Sequence, residues 1–334
     1  MRHGGDLGPA IARYGIAPGD WLDLSTGINP HAYPLDEEAG AEAETEDRRL
    51  PDPVVLEALL DAARSAYRVP AGLDICAAPG TEILIRLLPW LTTGETVLLS
   101  TTYGSYRESW NAADKPLASV SPEECFGIPA GTNILLVNPN NPDGRCIDRP
   151  TLKQWADTRG APARLIVDEA FADANEDCSL VPDLSPNDPV IILRSFGKFF
   201  GLPGLRLGFA VGMPRQIRLL AAMLGDWPVS ARALRFGVAA LKDRDWQSAM
   251  RRRLAAEAAS LDEILLSAGL DIAGGTNLFR LVLHPDAASL QDHLAGHGIW
   301  VRVFEEEPGL VRIGLPGTEA GMMRLDKALS TLAG

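Results

Sequence analysis

Cysteine is scarce in this chain of 334 residues: Cys76, Cys125, Cys146 and Cys178 occur, and no two form a C-x-x-C pair. That pattern argues against a zinc framework, and spacings this wide in a long chain read as free thiols in a reducing compartment. Long apolar runs are missing as well. No stretch of about 18 apolar residues is present, so no membrane span is expected. Residues 1–11 lack the apolar core of a signal peptide, which makes the cytoplasm the expected location. Excess positive charge is absent: 31 basic side chains face 44 acidic ones, a net charge of -13. Nucleic acid and anionic membrane surfaces need a basic face, so neither is an expected partner. An anionic substrate would depend on a few local Arg or Lys residues. Internal repeats are absent, and the one biased segment is the acidic run 36–47, most simply a solvated loop or helix face.

What is present is ordinary globular material. Hydrophobic residues make up 46% and charged residues 22%, enough to bury a sizeable core. The first 50 residues, rich in Gly, Pro and acids, read as an irregular arm. Apolar spacing then predicts a helix over 53–67, with Pro near its start. Short, nearly all-apolar runs at 73–77, 96–100, 134–137, 165–167, 190–193 and 209–211 read as strands buried on both faces. Helical stretches such as 81–91 and 152–158 lie between several of them. This alternation predicts an α/β fold with a mainly parallel central sheet and helices on both faces. After about residue 244 the character changes. A long Ala/Leu/Arg-rich helix to about 267, strand-like runs at 278–283, 299–304 and 310–314, and helices near 287–297 and from 318 predict a smaller α+β lobe.

Four segments sit at the ends of predicted strands, where open α/β sheets bind ligands. In Ala78-Pro79-Gly80-Thr81-Glu82 a strand turns into a helix, whose unpaired N–H groups suit a phosphate. A plain βα turn with Thr81 as the cap is the competing reading. In Asn138-Pro139-Asn140-Asn141-Pro142-Asp143-Gly144 a stiff polar loop can offer an amide hydrogen bond to an anionic oxygen, or be only an Asn-Pro turn. In Leu165-Ile166-Val167-Asp168-Glu169-Ala170-Phe171 an apolar strand ends in two acids. A buried carboxylate there needs a cationic partner, unless it is a simple cap or loop acid. The most specific segment runs from Arg194 to Gly208. Lys198 stands among apolar and Gly residues, where desolvation lowers an amine's pKa and makes it a nucleophile toward an aldehyde. Ser195 and Arg206 flank it and are available for a phosphate.

The string S-x-x-K-x-x-G-x-x-G-x-R-x-G, with N-P-x-N-P-x-G and D-E-A upstream in that order, resembles the fold-type I pyridoxal 5′-phosphate (PLP) enzymes of the aminotransferase class I/II family. The resemblance extends from about residue 23 to the C-terminus. It implies an aspartate aminotransferase-like fold: an arm and part of the small domain at 1–50, a large PLP-binding domain at 51–243, and a small α+β domain at 244–334. It also implies roles. Lys198 would carry PLP as a Schiff base, and Asp168 would pair with the pyridinium nitrogen so that the ring acts as an electron sink. Asn141 would bind the ring hydroxyl oxygen, and Gly80, Thr81, Ser195 and Arg206 the cofactor phosphate. Tyr103 would stack on the ring, with Tyr106 as the reserve for that role. Arg312 would clamp the substrate carboxylate with a bidentate pair. The active site of such enzymes usually lies between subunits, so a homodimer is implied.

Some positions depart from the family pattern. Phe171 stands where Tyr is common, Gly197 where Ser or Thr is common, and Leu50 where a Tyr often reaches the neighbouring subunit's phosphate. The opening His3-Gly4-Gly5, Tyr14-Gly15 and Leu22-Asp23-Leu24-Ser25-Thr26-Gly27-Ile28-Asn29-Pro30 narrows the resemblance to the threonine-phosphate decarboxylases of cobalamin biosynthesis. Such a protein would be a carbon–carbon lyase acting on a small phosphorylated amino acid. His3 and Arg302 would then serve the substrate phosphate, with Asn29 lining the same pocket. A terminal His, a surface charge on an edge strand, and a turn are the respective plain alternatives. A histidinol-phosphate aminotransferase remains the alternative activity, because the same residues serve both reactions. A PLP-fold binding module without catalysis stands third.

Overall fold

A computed structural model describes residues 4–34 and 48–332. His3 and the acidic run 36–47 lie outside the described residues. The chain divides into two compact units, one built from Tyr33–Asn141 and Cys146–Trp246, the other from Met1–Ala32, Pro142–Arg145 and Gln247–Gly334. Among the described residues, no helix is long and apolar enough to cross a membrane.

The first unit holds a seven-stranded sheet. Its strands are β1 (Asp74–Ala78), β2 (Thr96–Leu99), β3 (Ala118–Val120), β4 (Asn133–Val137), β5 (Leu165–Asp168), β6 (Val190–Ser195) and β7 (Gly208–Gly212). They lie in the order β1-β7-β6-β5-β4-β2-β3. All neighbours are parallel except β7, which runs against both β1 and β6. Every residue of β2, β4, β5, β6 and β7 is buried, which is why these strands read as continuous apolar runs. The helices are α1 (Pro53–Tyr67), α2 (Thr81–Leu91), α3 (Ser105–Ala112), α4 (Arg149–Asp157), the short α5 (Phe196–Phe199), α6 (Pro214–Leu224) and α7 (Ala231–Lys242). Two of them are started by aspartates. Asp52 accepts from Val54 N at 2.8 Å and Asp148 accepts from Thr151 N at 2.7 Å, each followed within two residues by Pro.

In the second unit a four-stranded antiparallel sheet has the order Arg302–Phe304, Glu307–Gly314, Phe279–Leu283, Asp271–Thr276. The long helix Arg244–Ser267 buries Gln247, Met250, Leu254, Ala258, Leu261 and Leu265, a single stripe at helical spacing. Three readings of this part need correction. The N-terminal segment is not merely irregular: it contains a helix, Gly8–Tyr14, and a strand, Leu22–Asp23. The run 299–304 is two strands, because Ile299–Trp300 pairs in parallel with Leu22–Asp23 while Arg302–Phe304 joins the larger sheet. The strand Asp271–Thr276 was not expected from its Gly-rich, half-exposed sequence. Its glycines have a use here, since a Cβ on Gly144 would collide with the backbone of Gly275. That close approach fixes the short excursion Pro142–Arg145.

The cysteine reading is also corrected. Cys76 and Cys125 are buried and outside any disulfide, but Cys146 and Cys178 form one, with Cα atoms 6.3 Å apart. Asn138 bonds to the segments of both cysteines. Its side-chain NH2 donates to Ile147 O at 3.1 Å and Cys178 O at 3.2 Å, and its carbonyl accepts from Ile147 N at 2.7 Å. One buried amide thus bonds to two segments whose cysteines are 32 residues apart, and sequence spacing carries no trace of it.

Candidate active site

A pocket opens in the sheet-bearing unit at the C-terminal ends of β5 and β6. Gly80, Thr81, Tyr103, Asn141, Asp168, Ser195, Lys198 and Arg206 all line it. The chain places them there by simple means. β6 ends at Ser195, and the short turn of α5 that follows carries Lys198 onto the wall. The Lys198 ammonium lies 5.8 Å from the centre of the Phe171 ring. Opposite, β5 ends on Asp168, which is only 3% exposed. Asp168 Oδ1 accepts from Ala170 N at 3.0 Å and Oδ2 accepts from the Tyr106 hydroxyl at 2.8 Å. Burial pushes the Asp168 carboxyl up to about 6, against the pull of Tyr106, the Ala170 N–H and the Lys198 charge. A cation bound beside it would relieve that penalty.

The phosphate-type features gather on the same pocket. Gly80, not Thr81, holds the N-cap position of α2, at φ 85°, so the reading of Thr81 as a side-chain cap is set aside. A Cβ on Gly80 would stand 2.5 Å from the Arg206 guanidinium, so only glycine lets the helix N-terminus and this cation face one space. Gly80→Ala is therefore expected to weaken PLP retention by about tenfold, the scale of one charge-assisted contact, and to lower the unfolding midpoint as well, because alanine is strained at this positive φ. Equilibrium dialysis of PLP checks this, and unaltered retention would contradict it.

Tyr103 lines the pocket, its hydroxyl 3.5 Å from Glu82 and its ring edge-on to Tyr106. Its loop is tied to the Asn140-Asn141 loop: Thr102 Oγ1 donates to Asn140 Oδ1 at 2.6 Å, and Asn140 Nδ2 donates to Thr101 O at 2.8 Å. Tyr106 does not serve as a reserve for stacking. It is fully buried behind the wall, in the apolar core with Ile85, Leu135 and Ile166.

The remaining candidates belong to the other unit. Asn29 is buried and accepts from His31 N at 2.8 Å, the turn that was the plain alternative for it. Arg302 and Arg312 are direct cross-strand partners, so both side chains stand on one face of the sheet. Arg312 is 7% exposed, donates to Ser25 O at 2.8 Å and lies over the Phe279 ring. Arg302 is on the edge strand yet half-buried. Burial lowers its pKa, with Glu305 working the other way. Two like charges placed opposite each other destabilise a sheet, unless an anion lies between or beside them.

Sequence reasoning missed a buried charge cluster beside the pocket. Arg194 donates to Glu169 Oε2 at 2.7 Å and to Asp173, while Ser179 Oγ donates to Glu169 Oε2 at 2.6 Å. Arg194 also lies over the Tyr67 ring at 4.3 Å. The signal available was a charge at the inner end of each of two apolar strands, Glu169 after β5 and Arg194 within β6.

The donor set fits a flat ring with a protonatable nitrogen, an anionic oxygen, a phosphate and an amine-reactive carbon. The fold around it is that of the PLP-dependent transferases. The chain belongs to the aminotransferase class I and II family, whose model matches residues 19–329. A threonine-phosphate decarboxylase from Sinorhizobium sp is 39% identical over 333 residues, covering 99% of this chain and 98% of that protein. One from Pseudomonas aeruginosa is 39% identical over 332 residues, covering 98% and 97%. Among solved structures, histidinol-phosphate aminotransferase from Sinorhizobium meliloti in complex with pyridoxal-5′-phosphate superposes with a TM-score of 0.84, at 20% identity over 97% of this chain and 94% of that one.

Proposed function

We propose that this chain is a PLP-dependent decarboxylase of L-threonine O-3-phosphate, releasing CO2 and (R)-1-amino-2-propanol O-2-phosphate for cobalamin biosynthesis. The observation that carries the reading is the in-register pair of Arg302 and Arg312 on one sheet face, in a chain 39% identical to threonine-phosphate decarboxylases over nearly its whole length. The substrate carries two anions, a carboxylate and a phosphate. Histidinol phosphate has the phosphate but no carboxylate, so as a substrate it would use one arginine of the pair.

PLP, when bound, draws off the electron pair of the bond broken at Cα. The chain's own residues do the rest. Asp168 keeps a proton on the ring nitrogen, while Asn141 binds the ring oxygen. Gly80, Thr81, Ser195 and Arg206 hold the cofactor phosphate, and Tyr103 packs on the ring. Arg312 binds the substrate carboxylate, and Arg302 its phosphate, with Asn29 and His3 assigned to the same pocket. Lys198 or the pocket tyrosine, Tyr103, returns the proton to Cα. The enzyme works as a cytoplasmic homodimer in this reading.

Purified protein is expected to release CO2 from L-threonine O-3-phosphate with no 2-oxo acid present. In Arg302→Ala, KM is expected to rise about 10- to 100-fold, the loss of one charge-assisted pair, while the absorbance of bound PLP stays as in wild type. Amino transfer to 2-oxoglutarate without CO2 release would replace this reading with an aminotransferase. An unchanged KM in the variant would remove Arg302 from the phosphate site.

A further inference from the structure

The first turn of α3 carries a tyrosine whose ring is packed as a phenylalanine would be. Tyr106 is 0% exposed, within a core cluster of mostly aliphatic residues and edge-on to the Tyr103 ring. It is not among the pocket-lining residues. A hydroxyl taken this deep costs free energy unless it is paired. Its partner is the carboxylate that the pocket turns toward the cofactor ring: Tyr106 Oη donates to Asp168 Oδ2 at 2.8 Å. The other carboxylate oxygen takes the Ala170 N–H at 3.0 Å. The two donors approach from different elements and leave the Asp168 side chain little freedom to rotate.

We infer that Tyr106 is a positioning residue of the reaction, its phenol holding Asp168 charged and aimed at the ring nitrogen from behind the pocket wall. This rests on the proposed PLP chemistry. The charges around the pair support it. Burial, then the Ala170 N–H, Lys198 and Glu169, set the balance on Asp168 beside Tyr106 itself. Tyr106 is held well above the usual phenol range by burial and by Asp168, with Tyr103 and Glu82 adding to the effect. The phenol therefore stays a donor across the working range, and the carboxyl is the group that titrates. A phenol donating to a carboxylate favours its charged form. Removing the phenol pushes the Asp168 carboxyl further up. Less of it is then charged at neutral pH, and the charge returns as pH rises.

Tyr106→Phe keeps the ring and its packing, so the holoprotein can be tested directly with PLP as the probe. Retention of PLP at neutral pH is expected to fall about tenfold, the weight of one hydrogen bond to a charged group. The acid limb of the pH profile of PLP retention, followed by the visible absorbance of the bound cofactor, is expected to move to higher pH, with recovery in mildly alkaline buffer. In an Asp168→Asn background the same substitution is expected to add nothing. A merely structural role would move neither the pH profile nor its dependence on Asp168. Wild-type uptake of PLP with an unshifted profile in Tyr106→Phe overturns this inference alone, as does an equal loss in both backgrounds. Wild-type protein that takes up no PLP overturns the proposed function and this inference together.

Discussion

Lys198→Ala is expected to lower CO2 release from L-threonine O-3-phosphate by about 10²- to 10⁴-fold, the range in which a positioned acid–base group contributes. Lys198 is the one lysine among the described pocket-lining residues, so no neighbouring amine can take over. The fold has little need of it. Asp168 keeps its two hydrogen-bond donors, Tyr106 and the Ala170 N–H, after the ammonium is gone. Urea unfolding of the variant is therefore expected to stay within about 1 kcal/mol of wild type, as for substitutions away from packed cores. Lys198→Arg separates charge from chemistry. It restores a cation beside Asp168 but not a primary amine that can bond to an aldehyde or pass on a proton, so its rate is expected to be as low. A small primary amine added to Lys198→Ala is expected to recover part of the rate. Turnover within tenfold of wild type in the alanine variant would remove Lys198 from the chemistry.

The legible parts of this molecule were those where one residue's environment decides its type. β4, β5 and β6 are covered on both faces, so the bodies of these strands are apolar runs, with polar or charged residues only at their ends. α1 was readable over 53–67 from its apolar spacing and the proline near its start, while the Asp52 cap and the left-handed Arg68 that bound it came only with the structure. β3 was not read, because a three-residue edge strand with two exposed positions needs no apolar run. The pocket was legible as motifs, since the backbone route from β6 to Arg206 passes Gly197, where a Cβ would meet Pro203, and turns through Gly201 at positive φ. What stayed hidden were pairings. Tyr103 and Tyr106 stand three apart, and only the start of α3 decides which faces the pocket and which lies behind it. Arg302 and Arg312 could each be suspected, but their opposition follows from a strand pair with a register shift between Val303 and Phe304. The Arg194 cluster joins residues 25 positions apart and needs the parallel register of β5 and β6 to form.

That cluster carries the largest expected effect on stability. Arg194 is 2% exposed, Glu169 0% and Asp173 4%. Burial alone would lower the arginine's pKa, but Asp173 and Glu169 hold it above its ordinary value. Glu169 sits above the usual carboxylate range because burial outweighs the help of Arg194, Ser179 and the Leu180 N–H. Arg194→Met keeps most of the volume and leaves two buried carboxylates without their cation. The expected cost is about 3–5 kcal/mol, as for other buried pairs broken on one side. The sign of its pH dependence follows. Without Arg194 the folded-state pKa of Glu169 rises further above its unfolded value, so the penalty is full above that raised pKa and fades as pH falls through it. Urea unfolding should show the variant weakest at neutral and alkaline pH, and closer to wild type in mild acid. Adding Glu169→Gln and Asp173→Asn to Arg194→Met removes the stranded charges and is expected to recover part of the loss. Arg194 and Glu169 directly adjoin Ser195 and Asp168, so PLP retention is expected to fall with stability in the single variant. A loss below about 1 kcal/mol at neutral pH would mean that the cluster is solvated or protonated in the folded protein, not an ion network anchoring the inner ends of β5 and β6.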